Sequence, residues 1–253
     1  MFRIFSLLLS VILVGIFLFW GFKQIKSSHL PEKDIYTYVP KNAYAIIEID
    51  APSKQWKNIL SNNIIWDELL SFNQVQNLEN QINTLDSAFN QNTKISSPDN
   101  LVLSFVSDSL DQNEIVFQSK ISSIVTNELL FESISIIFNG RKKALISENQ
   151  MELETDFGVL HFLYKDQILT ISRQKGVLNQ IQKQVASEQT LLSDSLFIAV
   201  KKTSSKNSQL RVFLQPNALF QETSHWTNGK IQAHITTLPQ ISNWIELDSD
   251  IKP

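Results

Sequence analysis

The spacing of apolar residues changes three times along the chain. The first stretch is continuous. Between Arg3 and Lys23, the positions Ile4, Leu7, Leu8, Leu9, Val11, Ile12, Leu13, Val14, Ile16, Phe17, Leu18, Phe19, Trp20 and Phe22 are apolar and none between them is charged. A run of 19 residues from Ile4 to Phe22 reaches about 28 Å as a helix, close to the ~30 Å hydrocarbon core of a bilayer. Secretory signals have a shorter apolar region, about 7–15 residues, and end at a small-x-small cleavage site. Here a cut after Ser28 puts Lys26 three positions back, and a cut after Ser27 puts Ile25 there. Trp20 and Phe22 followed by Lys23 and Lys26 fit an aromatic belt with snorkelling lysines, with Arg3 as the opposite flank. The reading is a retained transmembrane signal-anchor over residues 1–26, with a cleaved signal as the alternative. The bilayer is the first expected partner, through residues 4–22.

Period 3.6 comes next. After an extended tether over 27–42, marked by Pro31 and Pro40, "AYAIIEI" at 43–49 predicts a short strand. Ser53 is then placed to cap a helix from Lys54 with Trp56, Ile59 and Leu60 on one face. Trp66, Leu69 and Leu70 repeat that pattern. Val75, Leu78, Ile82, Leu85 and Phe89 are spaced three, four, three, four, a stripe suited to packing on a sheet. From about residue 100 the period becomes two. "LVLSFVS" and "EIVFQSKI" predict strands, "ESISIIF" and "RKKALIS" a hairpin across Asn139-Gly140, and "MELETDF" and "VLHFLY" a second across Gly158. A turn at Lys165-Asp166-Gln167 leads into "ILTISR", so 100–173 reads as an antiparallel meander. Gly176 precedes a helix with Leu178, Ile181 and Val185 on one face, and "LRVFLQP" and "NWIELDSD" predict two more strands. The predicted class is α+β: an N-terminal transmembrane helix, then helices packed on a largely antiparallel sheet. One α+β domain is expected over 43–253; a division into two similar halves and a continuation in a longer parent chain are alternatives the sequence leaves open.

Composition narrows the function. With 43% hydrophobic and 19% charged residues the chain folds, and a net charge of −3 gives no reason to expect nucleic acid. The basic groups Arg141, Lys142, Lys143 and Lys201, Lys202, Lys206 read as solvated strand ends or loops. Cysteine is absent, which removes thiol chemistry and lipoprotein acylation and suits an oxidising compartment. Six glycines are few, and no phosphate-binding loop, dinucleotide fingerprint, zinc-protease helix or nucleophile elbow occurs. No cofactor is expected. His161 sits inside a predicted strand and faces a sheet; His225 and His234 lack a carboxylate at zinc spacing. Asp248 and Asp250 share a strand face without the third acidic partner calcium needs. Trp226, in the polar "ETSHWTNGK", is the aromatic expected to be exposed for contact. The charge balance of the anchor is near a tie, but so short a tail stays in the cytoplasm. The domain is then exported, giving a single-pass inner-membrane protein with its domain in the periplasm. The leading reading is a non-enzymatic envelope domain that binds a protein or ligand or acts as a scaffold. A serine-type hydrolase around Ser224, His225 and Asp248 is one alternative, and a cytoplasm-facing adaptor of opposite topology is the other.

The anchor, "YVPKNAYAIIEID", "NNIIWDELL", "LSDSLFIAV" and "NWIELDSDIKP" together resemble single-pass, membrane-anchored envelope proteins of low-GC Gram-negative bacteria, a family defined by a domain of unknown function. The resemblance implies envelope location and a chain that continues past the closing tryptophan strand, in some members into a propeller-like region. It carries no catalytic residue.

Overall fold

The computed structural model describes residues 33–50, 52, 83, 100–107, 113–121, 126–138, 140, 142–155, 158–205, 208–223 and 242–249. The expected anchor therefore lies outside the described residues, as do the apolar helical positions from Trp56 to Phe89. Pro52, just before that stretch, and Asn83, within it, are described and helical. No helix among the described residues is long and apolar enough to cross a membrane.

From Ile35 onward the chain forms one compact unit. Its strands are β1 (Ala43–Asp50), β2 (Asn100–Ser107), β3 (Asn113–Lys120), β4 (Lys142–Ser147), β5 (Gln150–Thr155), β6 (Gly158–Lys165), β7 (Ile168–Ser172), β8 (Leu210–Leu214) and β9 (Ile245–Ser249). Four described helices accompany them: α1 (Asn127–Ile137), α2 (Lys175–Ala186), α3 (Ser195–Thr203) and α4 (Pro216–Thr223). All nine strands join a single sheet in the order β4-β5-β6-β7-β3-β2-β1-β8-β9, and every neighbouring pair is antiparallel.

Both faces of the sheet are covered at its centre, which is why β7 reads "ILTIS" and is buried at every position. One core holds Leu103, Phe117, Phe131, Ile134, Met151 and Phe162 and belongs to the α1 side. The other holds Tyr36, Ile46, Leu163, Ile181, Phe197 and Trp244 and belongs to the α2–α3 side. Strand alternation delivers one face to each core, and Ile46 and Ile49 of β1 enter opposite ones.

Three expectations are corrected. "ESISIIF" is helix, not strand, and no hairpin forms at Asn139-Gly140. The alternation of Ile134 and Ile136 is also compatible with a helix: Leu130, Phe131, Ile134 and Phe138 share its buried face while Ile136 points outward. Thr126 caps the helix, its hydroxyl accepting from Leu129 N at 3.4 Å. Gly140 closes it, donating its N–H to Ser135 O at 2.9 Å, and packs so tightly that an added Cβ would stand 2.8 Å from Leu153 Cγ. The second correction follows from the first. Residues 100–173 are not a simple meander, because α1 carries the chain to the far edge and β4 to β7 return to β3. Third, the end of the expected tether is core. Ile35–Thr37 forms a 3-10 turn, and Tyr36, Tyr38 and Val39 are fully buried under α2, where Gln184 Nε2 donates to Val39 O at 2.7 Å.

Several other elements follow the reading, whereas helices α3 and α4 were not expected from the sequence. β1, β2, β3, β8 and β9 are strands, β5 and β6 meet across Gly158 at φ +97°, and α2 buries Leu178, Ile181 and Val185. At the β6–β7 turn, Asp166 and Gln167 both take positive φ (53° and 63°), the combination a two-residue hairpin needs.

Candidate contact surface

A polar cluster lies at the β1–β8–β9 end. Register places Glu48 opposite Arg211 and Arg211 opposite Asp248, so three charged side chains cross three strands on one face. Arg211 donates to Glu48 Oε2 at 3.1 Å and to Asp50 Oδ2 at 3.3 Å. The Tyr36 hydroxyl reaches the same Glu48 oxygen at 2.8 Å, and Lys201 Nζ sits 4.2 Å above the Tyr36 ring. Burial works against the Arg211 charge, but the Glu48 and Asp50 carboxylates outweigh it and hold the guanidinium pKa above its ordinary value. Burial, with Asp248 alongside, raises Glu246 above the glutamate range. Next to this cluster Trp244 is fully buried, donating Nε1–H to Asp194 Oδ2 at 3.0 Å while Asp194 Oδ1 caps α3 at Leu196 N. These groups are tied to one another, and no set of three or more His, Asp or Glu among the described residues is arranged to hold a metal. The arrangement fastens β9 and α3 to the sheet.

Of the residues singled out by sequence, Arg3 to Lys26, Ser224, His225, Trp226, His234 and Asp250 lie outside the described residues. Asp248 is described: its Oδ2 accepts from Ser205 N at 3.1 Å. His161 does sit on the sheet, its Nδ1 3.5 Å from Glu152 Oε2 on the neighbouring strand, and burial lowers its pKa below the ordinary histidine value. The Glu48–Arg211 pair went unnoticed in the sequence. Its signal was available, since each is a lone charge of opposite sign inside an apolar strand, "AYAIIEI" and "LRVFLQP".

An open cleft of about 310 Å³ lies between the Pro40–Asn42 corner and α2, lined by Lys41, Gln180, Ile181 and Gln184. Its central amide is engaged at both ends, Gln184 accepting from Lys41 N at 2.9 Å and donating to Val39 O. This is a fastening too.

The opposite end of the sheet differs. Five large apolar side chains stand in solvent on the wing formed by α1 and β4–β6: Leu129, Ile136, Leu145, Ile146 and Val159, exposed by 39% to 71%. Leu129 and Ile136 are seven residues apart and share the outer face of α1. Leu145 lies opposite the buried Met151, one strand further out than α1 covers. β4 is the outermost strand, and its side chains from Lys143 to Ser147 are all exposed. Leu145 lies on the α1 side of the sheet and Val159, next to the α1-side Leu160, on the other, so these exposed side chains are divided between the two faces. Consecutive apolar residues in "RKKALIS", where strand alternation sends one to each face, were the sequence signal for it.

No protein-family model matches the chain, and no curated protein matches it. Among solved structures, crystal form IV of TP0453 is similar, with a TM-score of 0.40 and 10% sequence identity over 72% of this chain. The match spans 64% of the TP0453 chain.

Proposed function

We propose that this protein is a membrane-tethered envelope domain that works by macromolecular contact and not by catalysis. Residues 4–22 hold it in the inner membrane, the domain from Ile35 onward faces the periplasm, and the α1/β4–β6 wing is its contact surface. The apolar wing carries this reading. Where the described polar groups cluster, at Arg211 and at Gln184, they are spent on one another. At the wing, large apolar side chains are left to water, which costs solvation free energy on the order of 25 cal/mol for each Å² that a partner would cover.

The test combines topology with contact mapping in intact cells. A photo-crosslinking residue is placed at 136 or 145 on the wing and at 183 on α2, and protease is added before and after the outer membrane is permeabilised. Adducts at 136 and 145 but not 183, with cleavage only once periplasmic access is opened, are expected. Adducts at none of the three would remove the contact function, and cleavage only from the cytoplasmic side would reverse the topology.

A further inference from the structure

Resting on the membrane-tethered part of that reading, we propose that the α2–α3 layer docks on the anionic phospholipid headgroups of the bilayer that holds the chain. Charge is unevenly shared along the sequence. From Arg173 to Lys206 there are six basic and two acidic residues, a net of +4 in a chain whose total is −3, so the rest of it carries −7. Helix α2 contains no acidic residue, and Lys175, Asn179 and Lys183, spaced by four, are exposed along its outer side. Helix α3 contains none either; Lys202 is exposed, and Lys201 stands over the Tyr36 ring. Two nearby carboxylates are engaged within the fold: Asp194 accepts from Trp244 Nε1 and Leu196 N, and Asp166 accepts from the Tyr38 hydroxyl. Glu188 and Asp34 are exposed at the ends of these elements, outnumbered by Lys33, Lys41, Lys175, Lys183 and Lys202. Helix α1, on the other side of the sheet, has the opposite character, with Glu128 and Glu132 exposed and no basic residue.

The second observation is where the chain enters the domain. Tyr36, Tyr38 and Val39 are buried against this same layer: Tyr36 meets Phe197 at 5.3 Å between ring centroids, and Gln184 Nε2 donates to Val39 O at 2.7 Å. Eight residues, 27–34, separate the expected anchor from Ile35, a reach of at most roughly 29 Å when fully extended. An anchor in the bilayer keeps Ile35 within that reach of the surface, and a modest attraction then decides which face turns toward it. Headgroup charge acts over about 10 Å, drawing lysines to the surface and repelling the glutamates of α1. The open cleft beside Pro40–Asn42 belongs to this surface. Among the described residues no carboxylate lines it, and Lys41, Asn42 and Gln180 offer donors to a headgroup phosphate.

The chain has no cysteine, so a single introduced thiol reports a single place. Full-length Asn179→Cys and Ile136→Cys, exposed positions on α2 and α1, are labelled with a fluorophore. Each is reconstituted into phosphatidylcholine vesicles with or without phosphatidylglycerol, all containing a nitroxide-headgroup lipid that quenches at near contact. Quenching at 179 is expected to be at least about twofold stronger with phosphatidylglycerol, and to lose that gain at about 1 M salt, where the screening length is roughly 3 Å. Quenching at 136 should not respond to phosphatidylglycerol. Lys183→Glu combined with Lys202→Glu changes two exposed side chains, so it should leave the circular dichroism intact while abolishing the gain at 179. Quenching at 179 that ignores phosphatidylglycerol or the charge reversal overturns the proposal, as does an equal gain at 136. Vesicle flotation separates this outcome from the anchor. Protein that floats with neutral vesicles but shows no gain at 179 keeps the anchor and loses the docking face. Protein that floats only with phosphatidylglycerol vesicles at low salt loses the anchor and keeps the face, and protein that floats with neither loses both. Protein adducts at residue 183 in cells would assign the face to an acidic protein and overturn the lipid.

Discussion

Replacing Arg211 with methionine tests whether the β1–β8–β9 cluster holds the fold together. The Arg211 side chain is 13% exposed and the Glu48 side chain 11%, with 3.1 Å between Nη1 and Oε2. Methionine fills similar volume without charge, so the change removes the ion pair and leaves the Glu48 carboxylate with the Tyr36 hydroxyl at 2.8 Å as a remaining donor. Removing one partner of a buried pair costs about 3–5 kcal/mol, because the surviving charge remains desolvated. The second contact adds little: Asp50 is 42% exposed, and exposed pairs contribute roughly 0–1 kcal/mol. Tyr36 recovers part of the loss, which places the expected destabilisation at about 3 kcal/mol, toward the low end of the buried range. For a domain of this size that corresponds to a Tm lower by roughly 6–12 °C.

Urea unfolding of the full-length protein in micelles, followed by tryptophan fluorescence, measures the loss. Glu48→Gln keeps an oxygen to accept from Tyr36, and the double variant Arg211→Met/Glu48→Gln no longer strands a charge. The double variant is therefore expected to be more stable than Arg211→Met alone, with a coupling of at least ~1 kcal/mol in the cycle. An Arg211→Met loss below about 0.5 kcal/mol, or strict additivity in the double variant, would refute the reasoning, since both are the behaviour of a solvated surface pair.

Gly140→Ala should destabilise by about 1–3 kcal/mol in the same assay, because the added methyl meets the buried Leu153 side chain and something must shift; a neutral result would mean that the α1–β4 junction is loose. Gln167→Gly should stabilise by up to ~1 kcal/mol, since glycine takes the positive φ of this hairpin position at lower steric cost; a lower Tm would contradict that account. Burial raises the Glu114 carboxyl above its ordinary 4.5, outweighing the hydrogen bonds it accepts from Arg173 N and Ser172 Oγ. The folded protein therefore binds this proton at higher pH than the unfolded chain. The group's contribution to stability grows as pH falls from above the folded value toward 4.5 and is lost as pH rises again. Relative to Glu114→Gln, the parent should gain stability over that window, and a difference independent of pH would count against it.

Much of the sheet was legible because its strands obey a simple period with turn residues between them. The hairpin at Asp166-Gln167 and the strand at 210–214 fall where alternation and turn chemistry put them. The error at 132–138 has a specific cause. "SISII" alternates over too few residues to separate period 2 from period 3.6, and Asn-Gly is equally good as a helix stop and as a hairpin turn. The residues that decided between them, Thr126 as cap and Leu130-Phe131 as buried face, lie upstream of the segment that looked like a strand. Strand order was not legible either. It depends on α1 carrying the chain to the far edge, which no local pattern encodes. The exposed apolar side chains of the wing escaped notice for a related reason: exposure of Leu145 follows from β4 being outermost, a property of the whole sheet.

The two ends of the sheet solve the same problem in opposite ways. An outermost strand leaves one row of backbone groups unpaired, and it needs charge, cover or a partner. At the β9 end, Glu246 and Asp248 lie on the face that Arg211 anchors, and the buried Trp244 ties the entry to the strand under α3. The strand is locked by its own chain, and Leu247 is its single large apolar exposure among the described residues. At the β4 end no described helix reaches Leu145, although α1 lies only one strand away over Met151. Extending α1's cover by one more strand would have buried Leu145 at little structural cost. Leaving it bare forgoes that burial, about 1.5–3 kcal/mol for a leucine. The two outermost strands therefore differ in how their own chain covers them, with the ion pair and the buried Trp244 at β9 and bare apolar side chains at β4.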